Sequence, residues 1–229
     1  MFRIKRKKVF IYSPCCITKV AIRFLCLNGA KHEIITEDIQ DINVLFSRIK
    51  GGKVDYVVLD VNPARFLYDL YCLRITFPNL PVIFTQERFH FVDSIISRFF
   101  GGVWLKEYDA ILAGWPRINL MEHVSNEIFS GADMNCCFYT FMGKEIVSKQ
   151  VFFECLREWI DSRLAGVILS KREREVYFDI AISGLEVRGI ALKLKVSNQV
   201  VYSCRRSIIN VIGADSCRKK KLNFMSVIN

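Results

Sequence analysis

The chain has 229 residues, 52% hydrophobic and 24% charged, a composition that builds a packed core and excludes disordered, collagen-like and low-complexity scaffolds. At roughly 100 to 150 residues per domain, the length accommodates two. The formal net charge is +10, and from Val167 onward 12 Lys and Arg stand against 5 Asp and Glu, so +7 of it lies in the last 63 residues. Such a segment meets a polyanion with a favourable, salt-sensitive release of counterions.

A membrane-spanning helix needs about 20 nearly uncharged residues. The longest apolar runs are broken too early, by Lys19 and Arg23 within 9–27 and by Asp93 and Arg98 within 91–105. No membrane partner is therefore expected. Arg3, Lys5, Arg6, Lys7 and Lys8 precede an apolar run that lacks a small-residue cleavage site, so they read as mature sequence. The nine cysteines, at 15, 16, 26, 72, 136, 137, 155, 204 and 217, are odd in number and have no metal-ligand spacing, which predicts reduced thiols in a cytosol. His32, His90 and His123 show no ligand spacing either. No metal, cofactor or catalytic constellation is expected, and no enzyme.

Residues 1–130 alternate short apolar runs with helical patterns. Segments 8–12, 32–36, 54–61, 81–85 and 102–105 read as strands, and 16–27, 38–49, 64–77, 91–99 and 117–129 as helices. Strands alternating with helices predict an α/β flavodoxin-like domain, a five-stranded parallel sheet covered on both faces. The C-terminal strand ends, where such sheets place their sites, hold Ser13 and Pro14, Asp60, Thr85 and Lys106.

Residues 131–166 connect this domain to the next. A helix over 149–164 carries the apolar stripe Phe152, Phe153, Leu156, Trp159, Ile160 and Leu164, which either packs on its own chain or serves as a dimer helix. Cys136, Cys137, Phe138, Tyr139 and Phe141 read as a further strand or a buried loop.

Residues 167–229 read as an all-α helix-turn-helix domain. Ser170 with Glu173 three residues on is a capping-box spacing that opens a helix over 171–183, with Val176, Tyr177, Ile180 and Ala181 facing inward. Gly184 ends it. Val187, Ile190, Ala191 and Leu194 mark a second helix, and Lys195 and Val196 turn tightly to Ser197, an N-cap for a third helix over about 198–212. That third helix turns Val201, Cys204, Ile208 and Val211 or Ile212 inward, and Gln199, Tyr202, Ser203, Arg206 and Asn210 outward. Amide, hydroxyl and guanidinium groups on one outer face are what a recognition helix presents to base edges in a major groove.

Leu169 to Val176, with Ala181, Gly184, Leu185, Ile190, Ala191, Leu194, Val196, Ser197, Val201 and Ile208, resemble the signature of the LuxR-type (FixJ/NarL) DNA-binding domain. The resemblance implies double-stranded DNA as partner, read by Ser197, Gln199, Tyr202, Ser203, Arg206 and Asn210, with phosphate gripped by Lys193, Lys195, Arg205 and Arg206. The family's Thr-Val-Lys-x-His is here Val200 to Cys204, its Lys-Leu-Gly is Val211 to Gly213, and an acidic position is Gly189. Its fourth helix corresponds to the charged run Asp215 to Lys221, a solvated tail or a further phosphate contact.

The strands ending at Asp60, Thr85 and Lys106 likewise resemble those of a response-regulator receiver. Ser13 and Pro14 stand where that family carries the acidic pair that holds Mg²⁺, so the resemblance implies a degenerate receiver. Asp60 is then either a residual phosphoacceptor or a relic ion-paired with Lys106. The reading is a bacterial transcriptional regulator independent of aspartyl phosphorylation, acting as a homodimer or a heterodimer with another regulator. An auxiliary regulator working mainly by heterodimerising and a functional phosphoacceptor regulator are the alternatives.

Overall fold

The computed structural model describes residues 6–28, 33–114, 120–121, 146–167 and 170–212. They fall into two compact units, one within Met1–Phe89 and Ile96–Ile146, the other within His90–Ile95 and Val147–Asn229.

The first unit is a five-stranded sheet in the order β2-β1-β3-β4-β5, every pairing parallel. The strands are β1 (Lys7–Tyr12), β2 (Ile34–Ile39), β3 (Tyr56–Leu59), β4 (Val82–Gln86) and β5 (Val103–Glu107). The helices that alternate with them along the sequence are α1 (Cys16–Leu27), α2 (Leu45–Gly51), α3 (Leu67–Thr76), α4 (Phe91–Phe100) and α5 (Tyr108–Gly114). The flavodoxin-like α/β architecture expected from the alternation is the one observed.

Period-two alternation sends Val9 and Ile11 of β1, Tyr56 and Val58 of β3 and Ile83 of β4 to one face. There they pack with Ile22 and Cys26 of α1, Ile111 of α5, Leu120 and Met121. Burial pushes the Cys26 thiol up to about 12, so it behaves as a small hydrophobe. The intervening Phe10, Val57, Leu59 and Phe84 are equally buried, with Phe66 edge-on to Phe84 at 6.3 Å between ring centres. Burial on both faces makes the central strands continuous apolar runs rather than alternating ones.

Several element boundaries differ from expectation. Asp38 does not open a helix: β2 runs through it to Ile39, and a 3-10 turn at Ile42–Val44, capped by Asp41, precedes α2. The cause is electrostatic, since Glu37 pairs with Lys8 at 2.7 Å and Asp38 with Arg23, and these partners hold the acidic residues along the strand. The helix expected over 64–77 divides into a 3-10 turn at Pro63–Arg65, capped by Asn62, and α3. Helix α5 follows β5 directly and was not expected. Of the helix expected over 117–129, Leu120 and Met121 are helical and buried; its other residues lie outside the described ones. So do His32, His123, Cys136, Cys137, Phe138, Tyr139, Phe141, Leu169 and the run from Asp215 to Lys221.

One buried guanidinium sets the approach to β4 and β5. Arg74 of α3 is 1% exposed and donates through Nη1 to the carbonyls of Pro78 at 3.2 Å and Leu80 at 2.6 Å, and through Nη2 to that of Gly102. Gly102 has φ +54°, and a Cβ there would sit 3.0 Å from the guanidinium, so glycine is required on both counts. Arg74 thereby fixes the turns that feed the two strands ending near Thr85 and Lys106.

In the second unit, α6 (Lys149–Leu164) lays Phe152, Leu156, Trp159, Ile160 and Leu164 into the core and packs against α7 (Lys171–Ala181). Five residues of the apolar stripe expected over 149–164 are thus buried by their own chain, and the sixth, Phe153, is half-buried. Helices α8 (Val187–Leu194) and α9 (Asn198–Ile212) complete the unit, and both pack on α7. The buried face of α7 is Val176, Phe178 and Asp179, with Ile182 just beyond, while Tyr177, Ile180 and Ala181 are half-buried. A stripe chosen for one neighbour is shifted because α6 covers one flank and α8 with α9 the other. Among the described residues no helix is long and apolar enough to cross a membrane.

Replacing Arg74 with Leu removes the guanidinium from three carbonyls and leaves the buried carbonyl of Leu80 without this donor, and is expected to cost about 2 kcal/mol. Urea unfolding followed by far-UV circular dichroism measures it, and an unchanged midpoint would remove Arg74 from this role.

Candidate nucleic-acid interface

Each joint of the α7–α8–α9 unit has a local cause. Ser170 and Glu173 close the capping box in both directions: the Glu173 N–H donates to Ser170 Oγ at 3.2 Å and the Ser170 N–H to Glu173 Oε2 at 2.7 Å. The hydroxyl of Ser207 on α9, then that of Ser170, holds the Glu173 carboxyl below its ordinary value. Helix α7 ends at Ala181, two residues short of the expected 183, and Gly184 follows at φ +64°.

Between α8 and α9 the chain turns at Lys195, which is left-handed at φ 53° and ψ 46°. It is the one non-glycine residue at positive φ among the described ones. Its N–H bonds to Leu192 O at 3.3 Å and that of Val196 to Ala191 O at 3.0 Å, closing the end of α8. The N–H of Val200 then meets Ser197 O at 3.1 Å and Oγ at 3.4 Å, which starts α9.

Helix α9 is amphipathic. Val201, Ile208 and Ile212 are buried and Cys204 half-buried, resolving the inward position in favour of Ile212; Val211 is exposed. Gln199, Tyr202, Ser203, Arg206 and Asn210 are all exposed, and their spacing places them on one outer face. Arg205 flanks that face and is exposed too, as are Lys193, Lys195 and Ser197. From Val187 to Ile212 the sequence holds five cations, Arg188, Lys193, Lys195, Arg205 and Arg206, and no carboxylate.

One of those cations is engaged. Asp179 of α7 is fully buried, and its Oδ1 accepts from Lys193 Nζ at 2.6 Å and from Arg157 of α6 at 3.3 Å. The Arg157 guanidinium also lies 4.3 Å from the centre of the Phe178 ring, a cation–π contact. A second tie from α6 to α7 joins Asp161 and Arg174 at 2.6 Å. Asp179 and Arg157 carry no helix-turn-helix signature, and sequence reasoning missed them; a lone acid inside an otherwise apolar helix face is the signal that could have found them.

At the C-terminal ends of the strands, the expected pairing of Asp60 with Lys106 is not what the carboxylate makes. Asp60 Oδ2 accepts from the Ser13 hydroxyl at 2.6 Å, and Oδ1 from the Tyr108 hydroxyl at the start of α5. Ser13 is itself buried, and its Oγ accepts from the Cys15 N–H at 3.1 Å. Thr85 is fully buried. Burial, followed by the adjacent Asp60 carboxylate, raises the Tyr108 phenol, which keeps it protonated and able to donate. Tyr108 went unrecognised because its partner lies 48 residues away in sequence. Among the described residues there is no cluster of His, Cys, Asp or Glu able to hold a metal ion.

Fold and arrangement together define a receiver-like α/β unit followed by a helix-turn-helix unit. No family model and no curated protein matches the chain. Among solved structures it is similar to RcsB in a structure described as two RcsB dimers bound to two parallel DNAs, at 16% identity and a TM-score of 0.49, covering 98% of this chain and 100% of that one. It is also similar to full-length FixJ from B. japonicum, at 16% identity and 0.41, covering 96% and 95%. Salmonella typhimurium RcsB follows at 14% identity and 0.47, covering 97% and 98%. Likenesses this distant assign no function.

Asp179→Ala is expected to lower the stability of the second unit by about 2 kcal/mol, below the roughly 3 to 5 of a fully buried broken pair, because the released Arg157 and Lys193 side chains, 39% and 42% exposed, can reach water. Thermal unfolding of the variant measures the loss, and a variant as stable as the parent would show the carboxylate to be dispensable.

Proposed function

We infer that this chain is a DNA-binding transcription regulator that reads duplex DNA with α9 and does not depend on aspartyl phosphate. The observation that carries the reading is the outer face of α9: five exposed polar side chains in helical register, beside a stretch of two helices that holds cations and no carboxylate. Arg206 can grip guanine bidentately and Gln199 adenine. Lys195, Arg205 and Arg206 supply phosphate contact, while the ion pair with Asp179 reduces what Lys193 offers.

The chemistry at Asp60 supports independence from phosphate. Mg²⁺ is a hard cation that takes carboxylate oxygens and offsets charge on a transferring phosphoryl group. Here hydroxyls of Ser13 and Tyr108 occupy the Asp60 oxygens. An auxiliary role through pairing with another regulator is favoured by one feature, the commitment of Lys193 to Asp179. Gel shifts of the chain alone and with a candidate partner separate these two readings.

Arg206→Ala is expected to weaken operator binding by about 1–3 kcal/mol and to relax preference at one base position. Lys195→Gly removes a charge without straining a left-handed residue, so it is expected to weaken all duplexes alike and reduce the salt slope by about 1. Fluorescence anisotropy with specific and random duplexes reads both, and parental binding by both variants would defeat the docking. Incubation with a small phosphodonor is expected to leave the intact mass unchanged. A labile gain of one phosphoryl group, absent in Asp60→Ala, would show a working phosphoacceptor.

A further inference from the structure

Asp179 is served by one cation more than its charge requires. The carboxylate is fully buried, and its Oδ2 has no hydrogen-bond partner among the described residues. What compensates its charge therefore converges on Oδ1, from Lys193 and from Arg157. One cation offsets a carboxylate, and the second is in excess. The two are held differently. The Arg157 guanidinium lies against the Phe178 ring, 4.3 Å from its centre, which fixes it in place. Lys193 is a compact charge on a flexible stem, with a half-exposed side chain. It belongs to the last turn of α8, two residues before the left-handed Lys195 that leads into α9. Lys193 is thus the cation able to leave, and from Val187 to Ile212 no acidic side chain stands to recapture it.

We propose that Arg157 is a positioning residue for DNA binding: it holds the Asp179 charge while Lys193 swings from Oδ1 to a backbone phosphate of the duplex. The proposal rests on the DNA-reading assignment and adds to it a residue of α6, outside the helix-turn-helix. Stripping a buried carboxylate of its only cation costs more than one phosphate contact returns, so Lys193 acting alone would stay on Asp179. With Arg157 beside it, Asp179 keeps a charged donor and Lys193 exchanges one anionic partner for another. The Arg157 contact, at 3.3 Å against 2.6 Å for Lys193, has room to shorten once the lysine has gone. Lys195 faces no such competition, because it has no share in the Asp179 contacts.

Fluorescence anisotropy of the full chain on a short duplex of arbitrary sequence, over a series of salt concentrations, is the test, since phosphate contact carries no base information. Arg157→Met is expected to lower the salt slope by about 1 and to weaken binding roughly five- to tenfold in about 0.1 M salt. Arg157→Gln, which keeps a donor to Asp179 without the charge, should do the same, and Arg157→Lys should bind as the parent does. Lys193→Met should match Arg157→Met, and the double variant should be no weaker than either, whereas Lys195→Gly should lower the slope further in the Arg157→Met background. A merely structural role for Arg157 would reduce the fraction of active chain and leave the slope alone. A parental slope in both Arg157→Met and Arg157→Gln overturns the proposal, as do losses from Arg157→Met and Lys193→Met that add. A parent chain that binds no duplex at all defeats the DNA-reading assignment and this proposal with it.

Discussion

Burying the Asp179 carboxylate among α6, α7 and α8 costs several kcal/mol of hydration unless cations are brought to it, and the second unit is arranged to bring them. Arg157 arrives from α6 and Lys193 from α8, both on the same oxygen. The backbone carbonyl of Asp179 also accepts from the Leu185 N–H at 2.9 Å, in the turn that leads to α8. A single residue therefore fixes the helix before the turn and the one preceding α9. The direction in which α9 presents its outer face follows from these contacts. The arrangement also makes α6 part of the trihelical core's support, where composition alone suggested a connector.

In the first unit, two hydroxyls hold the carboxylate at the end of a central strand. A carboxylate at the end of a central strand needs donors or a cation to compensate its charge. Ser13 and Tyr108 provide neutral donors to Asp60. The cluster joins the loop after β1, the end of β3 and the start of α5, which makes Asp60 a structural junction.

Much of this architecture was legible in the sequence because its determinants are local. The helix α1 was bounded correctly by its apolar spacing, α6 by its stripe, and the start of α7 by the Ser170 and Glu173 box. What escaped was set by partners distant in sequence. Glu37 and Asp38 remain in a strand because Lys8 and Arg23 hold them. Phe178 and Asp179 turn inward because a helix 20 residues earlier covers that flank. The outer residues of α9 were legible as a face, since periodicity reports direction, but the diversion of Lys193 to Asp179 was not, since periodicity does not report pairing.

The ion pairs along β2 bear on how the molecule avoids clumping. In the order β2-β1-β3-β4-β5, β2 is a margin of the sheet among the described residues, and a margin strand is a place where another strand can add. Glu37 is shared by Lys8 and Arg48, and Asp38 is held by Arg23; an incoming strand would have to strip these contacts and desolvate the charges. The opposite margin, β5, ends in Lys106 and Glu107. Growth of the sheet into a ribbon is thus discouraged at both rims, which leaves helical surfaces as the places where this chain can meet other molecules without polymerising.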